Sequence, residues 1–213
     1  KQAIPYIRMY KGKIFVVKVG GRVVGRRDML DALVEDVCLL QQVGIRVVLV
    51  HGGGEQASEL SRKLGLEPKI VAGRRVTDAQ TLGVAKMVYG GTLNIDILSA
   101  LRAHQTPAVG VSGVDGNLIT ARKRPPALIA PAPGEEPVVV DFGFVGDIEF
   151  VNAGVLEHLL EGGFVPVIAC LGAGPTGEVL NINADSIAEA VARALRAEKL
   201  LILTDTDGVL RDV

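Results

Sequence analysis

Two apolar runs constrain this chain more than any other feature. Phe15-Val16-Val17-Lys18-Val19 runs into Gly20-Gly21, and Val47-Val48-Leu49-Val50 runs into His51-Gly52-Gly53-Gly54. Between them, Leu30, Leu33, Val34, Val37 and Leu40 recur at helical spacing over Asp28 to Val43, with Asp28 placed to cap the start and Gly44 at the end. A second helical stretch, Gln56 to Leu64, follows the second run and stops at Gly65. Strand, helix, strand, helix in this order predicts parallel strands joined by right-handed crossovers. The aromatic content is only 4% against 48% hydrophobic residues, so the core is built from Val, Leu, Ile and Ala, the usual content of a buried parallel sheet.

The pattern continues. Thr77-Asp78 opens a long helix to about Arg102, interrupted by Gly83, Gly90 and Gly91, which close packing across a subunit interface or a kink would explain. Ala108 to Val111 is a further strand. Lys123 to Pro137 contains five prolines and reads as a loop, with Arg122-Lys123-Arg124 as a solvated basic run at its start. Val138 to Phe142 and Asp147 to Val151 flank Gly143-Phe144-Val145-Gly146 as a β-hairpin. Helix Ala153 to Glu161, strand Val165 to Ala169, helix Ala184 to Leu195 and strand Leu200 to Leu203 complete the series.

Several classes of function are disfavoured. A net charge of −1 gives no global field for nucleic acid or acidic membrane. No apolar run approaches the ~20 residues of a bilayer span, and no signal peptide is visible. Cys38 and Cys170 lack metal-ligand or redox spacing and read as small buried residues of a reducing compartment, hence a cytoplasmic protein without a protein-bound metal. A Walker A sequence is absent, and Gly172 to Gly177 matches GxGxxG only formally, because Pro175 lies inside it and no helix follows.

What survives is a set of polar strand exits. Lys18 with Gly20-Gly21, and Gly52 to Gly54, offer bare backbone N–H groups and one cation to a phosphate chain, although each turn alone serves equally well as a structural exit. Asn181-Ile182-Asn183-Ala184-Asp185 carries more polar groups than a helix cap needs. Its carboxylate is suited to hold the Lys18 ammonium. Thr204-Asp205-Thr206-Asp207-Gly208 is a fourth exit, and Arg75, just before a helix start, suits a carboxylate. Ligands of open α/β sheets bind at the carboxyl ends of strands, where these residues fall.

Taken together with Pro5-Tyr6-Ile7, Arg75-Val76-Thr77, Ser112 to Gly116 and Gly143 to Gly146, these motifs resemble the amino acid kinase family over essentially the whole chain, and within it the branch that acts on N-acetylglutamate. The resemblance implies a three-layer αβα sandwich around a mainly parallel sheet, of the carbamate kinase-like type, with a β-hairpin lid. It implies ATP-dependent phosphorylation of the γ-carboxylate of N-acetyl-L-glutamate in arginine biosynthesis, with Mg²⁺ accompanying ATP. By motif, Lys18 would stabilise the transferring phosphoryl group, Gly20, Gly21 and Gly53 would donate to it, and Asp185 would orient Lys18. Gly53, Gly54, Arg75 and Asn181 would bind acetylglutamate; Asp205, Thr206, Asp207, Gly208, Val209 and Leu210 would line the nucleotide site. Residues 1–195 would form the acetylglutamate lobe and 196–213 the start of the nucleotide lobe. A homodimer or higher homo-oligomer, with the glycine-bearing helix as its interface, and arginine feedback are further expectations.

Family members continue past the position of Val213 with elements that complete the nucleotide site and supply a second lysine, so a missing C-terminal portion is expected. Arg22 and Glu55 depart from the residues usual beside the two glycine turns. The alternatives are the regulatory kinase-like domain of an N-acetylglutamate synthase, or a kinase for a related N-acyl acidic amino acid such as an aminoadipate derivative.

Overall fold

The computed structural model describes residues 4–130 and 135–204. It begins with α1 (Ile4–Tyr10), β1 (Ile14–Val19), α2 (Gly21–Gly25), α3 (Arg27–Gln42), β2 (Arg46–His51) and α4 (Gly54–Lys63). A two-stranded ribbon, β3 (Ile70–Val71) with β4 (Arg74–Arg75), precedes α5 (Ala79–Ala85), a π-helical segment Lys86–Leu93, α6 (Asn94–Ala103) and β5 (Ala108–Ser112). Four strands follow: β6 (Ile119–Lys123), β7 (Ala127–Ile129), β8 (Val138–Val140) and β9 (Gly146–Val151). The remainder is α7 (Ala153–Glu161), β10 (Val165–Ala169), β11 (Leu171–Ala173), β12 (Val179–Asn181), α8 (Ala184–Ala194) and β13 (Lys199–Leu203). Among the described residues no helix is long and apolar enough to cross a membrane.

The central sheet has the order β13-β1-β2-β10-β5, and every pairing in it is parallel. Val16, Val47, Val48, Leu49, Val50, Val165, Val167 and Ile168 are fully buried, which is why the middle strands tolerate apolar residues on both faces. Leu30, Leu33, Val34 and Val37 of α3 and Ile187, Ala188 and Val191 of α8 pack into the same core. A sheet so covered gives the layered α/β architecture expected from the alternation.

Four local expectations are corrected. Asp28 does not cap α3: the cap position is Arg26, and Asp28 sits in the first turn, where both its oxygens accept from the Arg26 guanidinium. The expected hairpin between Val138 to Phe142 and Asp147 to Val151 does not form, because β8 and β9 do not pair with each other. β6 pairs antiparallel with β9 and β7 with β8, so Gly143 to Gly146 interrupts the second arm rather than forming the turn. The proline-rich stretch accordingly contains strand β7, because Ala127-Leu128-Ile129 lies between its prolines. Arg122 and Lys123 of the basic run likewise end strand β6 rather than begin a loop; Arg122 faces Glu149 at 3.8 Å, and Arg124, just beyond the strand, binds Asp147 at 2.6 Å.

The long helix is continuous from α5 to α6 but passes through the π segment that holds Gly90 and Gly91. A Cβ on Gly83 or Gly91 would meet open space, so packing inside this chain does not demand them. A second small core, Val140, Phe142 and Val145 with Val71, Val76 and Ile129, ties the β3–β4 ribbon to the long hairpin.

Candidate active site

Parallel pairing places strand ends side by side. Val19 and Ala169 are both in register with His51, so the exits of β1, β2 and β10 share one edge. They open into a cavity of about 710 Å³ whose wall includes Lys18, Gly20, Gly21, Gly53, Gly54, Arg75, Asn181 and Asp185. All the candidates within the described residues meet there, although they come from positions as far apart as 18 and 185. Asp205, Thr206, Asp207, Gly208, Val209 and Leu210 lie outside the described residues. A second cavity of about 740 Å³ lies between β9 and α8; its arginines, Arg124 and Arg193, face Asp147 and Glu189 and leave no charge uncompensated.

Lys18 points into the site near the end of β1, and its Nζ is 2.9 Å from Asp185 Oδ1. The lysine side chain is only 14% exposed, whereas the aspartate is 53% exposed. Asp185 lies in the first turn of α8, where a carboxylate complements the helix dipole. The polar cluster around it divides its work. Asn183 caps α8 by accepting from Ser186 N–H at 3.0 Å, Asp185 holds Lys18, and Asn181 donates to Thr77 Oγ1 at 3.1 Å.

The two glycine turns precede helix starts. Gly20 precedes α2 and Gly53 precedes α4, so N–H groups without intrahelical acceptors lie at the glycines that line the cavity. Gly53 is also required sterically: a Cβ there would collide with Leu93 and Tyr89. Gln56 braces the two turns, its Nε2 donating to the Gly21 carbonyl at 2.7 Å. Arg22 and Glu55, the two unusual residues of these turns, face each other at 3.6 Å across α2 and α4, so the departures come as a pair.

Arg75 approaches from β4. Its Nη2 donates to the Gly54 carbonyl at 2.6 Å and to Ser58 Oγ. Its Nη1 is buried with no partner among the described residues. Arg75 lines the cavity, and a guanidinium is the group a ligand carboxylate would pair with. Above it, Thr77 N–H donates to the Phe142 carbonyl at 2.9 Å, Phe144 N–H to the Thr77 carbonyl at 2.7 Å, and Asn181 N–H to the Phe144 carbonyl at 2.8 Å. Gly143 makes this close approach possible: its φ is +72°, and a Cβ would strike the Thr77 carbonyl.

Sequence reasoning misses the groups beneath the turns. In the sequence His51 is merely part of a glycine motif, yet it is fully buried and bonded to Asn94. Tyr89 lines the cavity, and burial first, then nearby Cys170, pushes its hydroxyl up to about 12. Cys170 is a buried thiol, pushed up to about 12 by burial, that donates to the His51 carbonyl at 2.6 Å. The only hint in the sequence is that His51 and Asn94 are polar residues in apolar company.

Burial pushes the His51 ring down from 6.5 to about 4. Between these values the unfolded chain takes up a proton at this ring and the folded chain does not. Its stabilising contribution is therefore whole above about pH 6.5 and is lost as pH falls through about 4, a change of roughly 3 kcal/mol. Urea unfolding at pH 7 and pH 4.5 should show a larger loss for the wild type than for His51→Leu. Equal losses would contradict a neutral buried ring.

The Amino acid kinase family matches residues 13–213. The chain is 45% identical over 211 residues to the acetylglutamate kinase of Symbiobacterium thermophilum, covering 99% of this chain and 70% of that protein. It is 47% identical over 213 residues to that of Myxococcus xanthus, covering 100% of this chain and 69% of that one. Among solved structures it is similar to N-acetylglutamate synthase from Neisseria gonorrhoeae complexed with coenzyme A and N-acetyl-glutamate. The TM-score is 0.78 at 32% identity, with 99% of this chain and 46% of that chain covered. The similarity to Giardia carbamate kinase, with a TM-score of 0.58 at 17% identity, is one of fold alone.

Proposed function

The chain belongs to the amino acid kinase family, and from that premise we propose that its cavity binds N-acetyl-L-glutamate and transfers the γ-phosphoryl group of ATP to the γ-carboxylate. The observation that carries this reading is the meeting of the Lys18–Asp185 pair, two glycine turns and Arg75 in one cavity. Residues up to 195 form the lobe for acetylglutamate, and 196 onward begin the nucleotide lobe.

The chemistry needs little from the protein beyond placement and charge. A carboxylate is already an ionised nucleophile at neutral pH, so no general base is required. One γ-carboxylate oxygen attacks the γ-phosphorus, the bond from that phosphorus to the β–γ bridging oxygen breaks, and ADP leaves with the electron pair. Two anions must be brought into line and the moving charge neutralised. Lys18 supplies the charge at the end of β1, and Asp185 fixes its direction. The N–H groups of Gly20, Gly21 and Gly53 face the phosphoryl oxygens. Arg75 takes a substrate carboxylate, and Gly54 and Asn181 complete that pocket. Among the described residues no group of three or more His, Cys, Asp or Glu side chains could hold a metal ion. Magnesium would enter with the nucleotide, held mainly by its phosphates, whose charge it would neutralise.

The regulatory-domain alternative has less support, since the synthase is 32% identical, whereas the kinases are 42–47% identical. The test is acyl phosphate formation by the full-length protein, trapped with hydroxylamine. ATP with N-acetyl-L-glutamate should give product, and N-acetyl-L-aminoadipate should give much less. Transfer only to the aminoadipate derivative, or to neither acceptor, would overturn the reading.

A further inference from the structure

We propose that His51 and Asn94 form a positioning pair that aims the Gly53 N–H into the cavity. The proposal deepens the kinase reading and takes its kinetic test from it. Neither side chain lines the cavity, and both are buried, His51 completely and Asn94 to 4% exposure. Two polar side chains at such depth are costly unless bonded, so a purely space-filling role would favour apolar residues.

Their bonds determine the ring's tautomer. Asn94 Nδ2 lies 3.0 Å from the Val167 carbonyl oxygen and 3.2 Å from His51 Nε2. An atom beside a carbonyl oxygen must be the amide nitrogen, which orients the Asn94 side chain. Its second hydrogen then faces Nε2, which accepts through its lone pair, so the ring proton sits on Nδ1. Nδ1 is 3.2 Å from the Gly52 carbonyl oxygen and donates to it.

A trans peptide unit turns this into aim. Among the described residues no peptide bond is cis, so the Gly53 N–H points opposite to the Gly52 carbonyl. The ring draws that carbonyl inward and sends the N–H outward, to the side where Gly53 lines the cavity. Gly52 is held from its other side as well, its own N–H donating to the Val19 carbonyl at 2.9 Å. The His51 carbonyl is gripped by the Cys170 thiol at 2.6 Å. Strands β1, β2 and β10 and helix α6 thus converge on one dipeptide. The π segment ends immediately before Asn94 and supplies Tyr89 and Leu93 against Gly53, in keeping with the tendency of such segments to occur at functional sites. Burial keeps the ring neutral, so the donor is not altered by ordinary changes of pH.

The test has a spectroscopic arm and a kinetic arm. In ¹⁵N NMR of the wild-type full-length protein, the His51 ring should show a protonated Nδ1 and a bare Nε2 at pH 7. A predominant Nε2–H form overturns the proposal whether or not the protein proves to be a kinase. In steady-state kinetics, His51→Leu should lower kcat by about 10²-fold, the scale of losing or misaiming one transition-state donor. The KM for acetylglutamate should move less than about 3-fold, because Gly53 is aimed at the transferring group. His51→Asn places an amide N–H near the position of Nδ1 and should recover most of the activity, whereas His51→Gln, which reaches toward Nε2, should not. Equal losses in all three folded variants, or a rise in KM with kcat unchanged, would reduce the pair to core packing and overturn the proposal.

Discussion

Lys18→Ala should lower the turnover of acetylglutamate phosphorylation by about 10²–10³-fold, the scale of removing one preorganised stabilising donor. The reason lies in where the charge sits. Its Nζ is 2.9 Å from Asp185, and its stem is largely buried between neighbouring strands, with Lys18 in register with Val50 and Ile202. In such surroundings a single cation acts on developing phosphoryl charge more strongly than in water. The loss should fall on kcat, because the charge is needed most when phosphoryl oxygens gain it. Folding should survive, since the abandoned Asp185 carboxylate is half exposed and water will solvate it. The check is steady-state kinetics beside a thermal melt. Near wild-type turnover in a folded variant would remove Lys18 from its proposed role.

Arg75→Ala should raise the KM for acetylglutamate by about 10- to 100-fold and leave the KM for ATP nearly unchanged. A hydrogen bond to a charged partner contributes about 1.5–3 kcal/mol, and 1.4 kcal/mol is a factor of ten. The guanidinium has two separate tasks. Nη2 is occupied by the Gly54 carbonyl and Ser58, which steadies the start of α4, while Nη1 is buried with no partner among the described residues. Arg75→Lys separates them: it keeps a cation but loses the fork, so it should recover only part of the affinity. If ATP affinity alone changed, Arg75 would belong to the nucleotide side and the proposed binding mode would be wrong.

Both predictions concern residues that are legible in the amino-acid sequence. Lys18 and Arg75 stand out there because each is a charge at an abrupt local boundary, a strand end or a helix start. The pairing of Lys18 with Asp185 is legible too, because a carboxylate at a helix start in excess of capping needs an explanation. The hairpin is harder. Glycine marks turns, which centres the expected hairpin on Gly143 to Gly146, yet Gly143 is there to let the chain pass close to Thr77. That contact joins residues 66 positions apart and leaves no local trace. The π segment is equally hidden, since its glycines suit a kink, an interface or a change of helical pitch. Arg22 and Glu55 look like two unrelated departures in the sequence, and the fold sets them face to face.

The sequence by itself determined the alternation of core strands and helices, the parallel sheet and the polar, glycine-bearing strand ends. Period and glycine placement are local quantities, and the preference of ligands for carboxyl ends follows from parallel pairing. Only the tertiary structure decided which ends meet, which strands the hairpin pairs, and which ring nitrogen of His51 carries the proton. Strand order, register and tautomer are set by contacts between distant segments: β1 beside β13, β6 beside β9, Asn94 beside His51. Buried polar groups accept the partners that packing brings them, and no nearest-neighbour pattern in the chain encodes that choice.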